Sequence, residues 1–282
     1  MSPSNGRTTL VALVVLTVLT AGCVGVLPGD DGANGNGVDD TPDNGVDANG
    51  DDGADTDEPD PDALQEDAIE ATNEIETASV EMTETIEEAT GTVSVESTGV
   101  MDFENERAEM ELSVDSPLGS QEFTQYIIGD TLYLEDGGEW IQQDVSEEEI
   151  WETDEVAQQQ EALEIGDVTG VEATEFDGHE VYELEIAIDG DELMDAVIEE
   201  GELDDPTAQF EYTDVELTQY VDAETNYVRH TEMNVTAEDD TGESATVAVE
   251  LTFDDINDPV DIELPEEAED APEAPTGPGG TF

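Results

Sequence analysis

Carboxylates apart, few residues of this chain could do chemistry, and one of them stands alone. Cys23 is the only cysteine in 282 residues, and it closes the run Leu19-Thr20-Ala21-Gly22-Cys23. Ahead of it, Leu10 to Ala21 is apolar apart from Thr17 and Thr20, a stretch of 12 residues that is too short to span a bilayer. A short apolar run, small residues and then a cysteine read as a lipobox: signal peptidase cuts before the cysteine, and the thiol carries a lipid. Thr20 stands where bacterial lipoboxes prefer leucine, and Arg7 is the only basic residue ahead of the run, so a twin-arginine export signal is absent. The mature chain is then expected to begin at Cys23, outside the cell and tied to the membrane by its first residue. With one thiol, neither a disulfide within the chain nor a redox pair can form.

The remaining candidates argue against catalysis. No serine lies in a Gly-x-Ser-x-Gly turn. His179 and His230 both fall on expected strands. His230 shares its face with Val228, Glu232 and Asn234, opposite Tyr227, Met233 and Val235, so it is expected to face water among carboxylates, and a His/Glu metal site is the competing reading. Asp40 to Gly45 comes nearest to a calcium loop, but Pro42 occupies a ligand position and no Glu follows at the twelfth. Carboxylate pairs for glycoside hydrolysis could be drawn anywhere in so acidic a chain and carry no weight. The expectation is a non-enzyme with no catalytic residue, metal or cofactor. Asn234-Val235-Thr236 is an N-glycosylation sequon on the expected wet face. Arg229 alternates into the Tyr227/Met233 face and is expected to pair with a carboxylate at the sheet edge, in a structural role.

Composition sets the background. Eighty acidic residues face three arginines (Arg7, Arg107 and Arg229) and no lysine, for a formal net charge of −77. At ordinary salt such a chain repels itself out of a compact state. Near 1 M salt the screening length falls to about 3 Å, so the fold is expected in brine. This resembles the proteins of extreme halophiles and implies a haloarchaeal source. Nucleic acid is excluded as a partner, because nothing is available to neutralise phosphates.

These residues must be positioned by a domain between two polar segments. Residues 1–22 read as the signal peptide. Residues 23–61, rich in Asp, Gly and Asn, lack the apolar content for a core and read as a disordered tether, and residues 269–282 as a disordered tail. Residues 62–268 are long enough for one sizeable core. A helix opens them, with Asp62 as its cap and Leu64, Ala68, Ala71 and Ile75 at helical spacing. Period-two alternation follows. Its sets include Met110, Leu112 and Val114, then Tyr182, Leu184, Ile186 and Ile188, and later Val247, Val249, Leu251 and Phe253, with a last strand at Val260, Ile262 and Leu264. Gly129-Asp130 and Asp177-Gly178 are two-residue hairpin signals. Residues 147–163 read as a second helix and 193–198 as a short third. The fold class is α+β: a strongly curved antiparallel sheet, an unclosed barrel of about ten to eleven strands, wrapped around about three helices.

Certain runs carry a resemblance. They are Asp130-Thr131-Leu132-Tyr133-Leu134 leading to Trp140, then Tyr220-Val221-Asp222-Ala223-Glu224-Thr225-Asn226-Tyr227-Val228. The close is Phe253-Asp254-Asp255-Ile256-Asn257-Asp258-Pro259-Val260, with Ile262-Glu263-Leu264-Pro265. In this order, behind a lipobox and linker, they resemble the LolA/LppX-type lipoprotein fold, and closely the haloarchaeal lipoproteins of that kind. The resemblance implies an unclosed barrel around helices, with an apolar cavity able to hold an acyl chain or lipid. It also implies carrier or envelope-sensor roles, although a haloarchaeon lacks the outer membrane that the best-known carriers serve.

Candidate cavity-lining residues are Tyr126, Tyr133, Trp140, Trp151, Tyr182, Met194 and Met233, with Met82 and Met110 on the same expected dry face. A packed core wall and a cavity wall carry the same alternation, so both readings stand. The leading expectation is a lipid-anchored, extracytoplasmic, non-catalytic module that accommodates a lipid or other hydrophobic ligand. The alternative is a cell-surface interaction or envelope-sensor protein with a filled core and a protein partner. Anchoring through Cys23 makes one outcome testable: Cys23→Ser should release the protein into the medium, and its retention on membranes would rule the anchor out.

Overall fold

Alternating apolar and polar residues give this chain strand after strand, and short turns make each pair antiparallel. The computed structural model describes residues 59–89, 91–145, 151, 156, 163, 165–190, 210–239 and 244–274. Cys23, the signal segment, residues 23–58 of the tether, Met194 and most of the expected second and third helices lie outside them. One helix, α1 (Pro61–Thr72), precedes β1 (Thr77–Glu88), β2 (Gly91–Asp102), β3 (Arg107–Ser116), β4 (Gly119–Ile128), β5 (Thr131–Asp136) and β6 (Glu139–Asp144). After these come β7 (Asp167–Phe176), β8 (His179–Ala187), β9 (Phe210–Asp222), β10 (Val228–Asp239) and β11 (Ser244–Asp254). Val156, Leu163 and Ile165, within or beside the expected second helix, have helical backbone.

All eleven strands form one sheet, in the order β6-β5-β4-β3-β2-β1-β11-β10-β9-β8-β7. Two meanders of consecutive strands therefore meet where β1 pairs with β11, and the sheet stays unclosed, with β6 and β7 at its edges. The hairpin signals hold. Ile128 pairs with Thr131 around Gly129-Asp130, and Phe176 with His179 around Asp177-Gly178. Asp177 and Gly178 take φ of 45° and 86°, the left-handed pair that a tight hairpin requires.

The helix is capped by Asp60 rather than Asp62. Asp60 accepts a hydrogen bond from the Ala63 N–H, while Pro61 takes the first helical position, where its missing donor is not needed. Leu64 and Ala68 bury against Leu184, Ile186, Leu217, Val221 and Val228. This defines an inner face, the side of the sheet that carries the helix. On it a second cluster joins Val80 and Met82 of β1, Met101, Met110, Ile127, and Val249, Leu251 and Phe253 of β11. Met233 packs against both clusters, so the apolar face runs across both meanders.

The expected strand at Val260–Leu264 does not form. β11 already lies between β1 and β10, so no open edge is available beside it, and Pro259 and Pro265 lack the donors that a ladder needs. The chain instead crosses the outer face. Arg107 donates to the Ile262 carbonyl at 3.0 Å, and beyond it Gln142 and Glu273 form a parallel bridge on the edge strand β6. Residues 269–274, expected to start the tail, are part of this crossing segment, and Ala271 is buried.

Two of the resemblance-carrying runs act as clamps. The Asp222 carboxylate accepts from the N–H groups of Glu224 and Thr225, from the Thr225 hydroxyl and, at 2.6 Å, from Arg229 Nε. Desolvation alone would raise this carboxyl, but those donors outweigh it and hold it below its ordinary value. Asn257, at φ 61°, accepts from the Glu76 N–H at 2.6 Å and donates to the Glu74 carbonyl and the Tyr227 hydroxyl. It thereby ties the end of β11 to the start of β1. The expected pairing of Arg229 with a carboxylate is thus present, with Asp222 as its partner. Arg229→Met should leave that buried carboxylate short of its cation and lower stability by about 3 kcal/mol. Urea midpoints in molar salt would measure the loss, and an unchanged midpoint would show that the pair contributes nothing.

Candidate functional site

On β1, side chains of even number point to the inner face: Ala78, Val80, Met82, Glu84 and Ile86. Four are apolar and one is a carboxylic acid. Glu84 is fully buried, at 0% exposure, and among the described residues neither of its oxygens has a hydrogen-bond partner. Its cross-strand neighbours are Val95 on β2 and Val249 on β11. It therefore sits between the large cluster around Met82 and Val249 and a smaller one formed by Ile86 and Val95 with Val93, Val114 and Val247. Ser97, also buried, is diagonal to it on the same face. Burial without a cation pushes the Glu84 carboxyl up from 4.5 to about 7. In the other meander, Gln219 and Thr231 are buried on the inner face as well.

The aromatic candidates divide between the two faces. Trp151 packs against the large inner cluster and donates its indole N–H to the Gly129 carbonyl at 3.2 Å. Tyr182 and Met233 also lie on the inner face, packed against the helix-bearing cluster. Tyr126, Tyr133 and Trp140 do not, which corrects the expectation for them. Ile127 is in the inner cluster, so its neighbour Tyr126 points outward, and the register carries Tyr133 with it. Trp140 faces outward too, with its ring centroid 5.9 Å from that of Tyr126. The run Tyr126-Ile127-Ile128 is apolar on both faces, so alternation could not assign a side.

Tyr126 is nevertheless buried, with Trp140 against its ring. Its hydroxyl donates to Glu109 at 2.7 Å. Burial first, and then Glu109, pushes this phenol up to about 12. Farther along the outer face, a groove of about 510 Å³ is lined by Glu96, Glu111, Glu122 and Glu135 together with Thr98, Thr124, Leu112 and Phe123.

His230 also departs from expectation. It lies on the outer face with Glu232 and Asn234, as its alternation implied, yet it is buried at 7% exposure. Phe176 stacks on it at 4.5 Å and Tyr220 at 5.4 Å, while its Nδ1 lies 2.8 Å from the Thr252 hydroxyl. Phe176 is 54 positions away in sequence and arrives only through the β7–β8 hairpin. His179 remains half-exposed, 3.6 Å from Asp222. Among the described residues, no group of three or more His, Cys, Asp or Glu side chains is arranged to hold a metal ion.

Glu84 is a candidate site residue that the sequence pattern alone does not single out. Its signal was parity: Val80, Met82, Glu84 and Ile86 share one side of β1, and only the abundance of acids hid it. A carboxyl raised from 4.5 to about 7 on folding stabilises the fold fully below 4.5 and loses that contribution as pH climbs to about 7. The loss is roughly 3 kcal/mol at about 1.4 kcal/mol per pKa unit. Glu84→Gln should flatten this part of the stability–pH curve, measured by urea unfolding in molar salt. A slope that survives in the variant would place its source elsewhere.

The family described as "Family of unknown function (DUF6612)" matches residues 60–273. No curated protein matches the sequence. Among solved structures, the lipoprotein LppX of Mycobacterium tuberculosis is similar at 14% identity, covering 72% of this chain and 100% of that one, with a TM-score of 0.45. The MucA/MucB complex of Pseudomonas aeruginosa is similar at 12% identity, with 69% of this chain and 57% of that one covered and a TM-score of 0.30. A LolA superfamily protein of Nitrosomonas europaea is similar at 11% identity, with coverage of 70% and 95% and a TM-score of 0.26.

Proposed function

For a chain that belongs to the DUF6612 family of unknown function, we propose the role of a non-catalytic module that takes up a lipid or other hydrophobic ligand on the inner face of its sheet. The supporting observation is the continuous apolar inner face of an unclosed eleven-stranded sheet, bridged between its two halves by Met233. A sheet that does not close keeps its two edges apart, and an apolar lining between them suits a chain-like guest. Of the seven candidate lining residues, this reading keeps Trp151, Tyr182 and Met233.

The lipobox supports anchoring through a lipidated Cys23 on the extracytoplasmic face of the cell membrane, and the acidic composition supports a haloarchaeal setting. No helix among the described residues is long and apolar enough to cross a membrane. Asn234 is exposed on β10, as its sequon would need for glycosylation.

The test is native mass spectrometry with lipid extraction on the protein purified from its host in high salt. A co-purifying apolar molecule in near-stoichiometric amount is the expected result, and it would name the ligand class directly. A folded protein free of any such molecule would overturn the lipid reading and favour a filled core with a protein partner.

A further inference from the structure

We propose that Glu84 is the polar anchor of the inner-face ligand site, and that it selects an amphiphile whose head is an uncharged oxygen group, a hydroxyl or an ester carbonyl. This rests on the lipid-binding reading and adds the chemistry of the head. A fully buried carboxyl whose two oxygens lack partners among the described residues is destabilising unless something satisfies it. No arginine of the domain serves it, since Arg107 donates to the Ile262 carbonyl and Arg229 to Asp222. Val95 and Val249 flank it across the strands, with Met82 and Ile86 before and after it, so an apolar chain and a polar head could be held side by side.

The head group follows from charge. An anionic head would enter a chain of net charge −77 with no cation beside the site. An ammonium head would require an ionised Glu84, the form that burial disfavours. A protonated carboxyl can donate its O–H to a hydroxyl or carbonyl oxygen and accept from a hydroxyl through its own carbonyl. Ser97, diagonal on the same face, offers a second polar contact.

Binding of n-hexadecane, n-hexadecanol, methyl hexadecanoate and hexadecylamine to the delipidated full chain in molar salt tests the assignment. The wild type should bind the alcohol or the ester about tenfold more tightly than the alkane, the scale of one buried hydrogen bond. Glu84→Leu, an apolar replacement on an apolar face, should abolish that preference and still bind the alkane. Glu84→Gln retains a donor and should retain part of the preference. Equal wild-type affinities, or a preference that survives Glu84→Leu, would overturn the anchor and leave the lipid-binding reading standing. Tightest binding of the amine would also overturn it, because an ionised carboxylate would then make the contact. Failure of all four probes to bind would remove the lipid reading and this inference with it.

Discussion

The pairing of β1 with β11 is the constraint on which the architecture depends. Nine residues of β1, Ser79 to Glu87, face nine of β11, and this seam alone makes one sheet of two meanders. Its register is set by apolar partners on the inner face, where Val80 faces Phe253, Met82 faces Leu251 and Ile86 faces Val247. A slip by one residue would send that whole row to the outer side. Asn257 holds the seam at one end through its bonds to the Glu74–Glu76 backbone. Glu84 lies within the seam, opposite Val249, so the candidate site and the joint of the fold are the same place.

A sheet so rich in carboxylates needs a rule for placing them. On the outer face, Glu81 faces Thr98 and Thr252, Glu96 faces Thr83 and Ser113, and Glu111 faces Thr98 and Thr124. Acids thus sit opposite hydroxyl residues rather than each other, which avoids the like-charge contact that destabilises a cross-strand pair. The other meander is less strict: Glu172 faces Glu183, Glu175 faces Glu180, and Glu232 faces Glu250 on β11. Near 1 M salt, with a screening length of about 3 Å, the repulsion in such pairs would be weak.

Much of this was legible from the residues. Hairpins at Gly129-Asp130 and Asp177-Gly178 follow from local backbone chemistry, and strand after strand follows from alternation. What failed depended on topology. Val260, Ile262 and Leu264 alternate like a strand, but the neighbouring edges were already taken. His230 alternates like a surface residue, but Phe176 and Tyr220 close over it. Tyr126, Tyr133 and Trp140 lie on the outer face, which the sequence does not reveal because a run apolar on both faces gives no parity. Glu84 is obscured for the opposite reason: its parity is clear, but one acid among 80 in a chain of 282 residues carries no signal of its own.

The crossing segment at the end of the domain has a consequence for how copies of the protein meet. An open sheet has two edges, and an exposed edge is a template on which a second copy can pair. Here the chain lays its own end along β6: the Gln142 N–H donates to the Pro272 carbonyl at 3.0 Å, and the Ala274 N–H donates to the Gln142 carbonyl at 2.7 Å. Pro272 has no N–H to offer a further strand, so the guard does not become a fresh edge there. At Gln142 one border of the sheet is therefore occupied by the same polypeptide that built it. β7 carries a different safeguard, its register shift between Val168 and Gly170, where a bulge bends the strand away from a flat pairing surface.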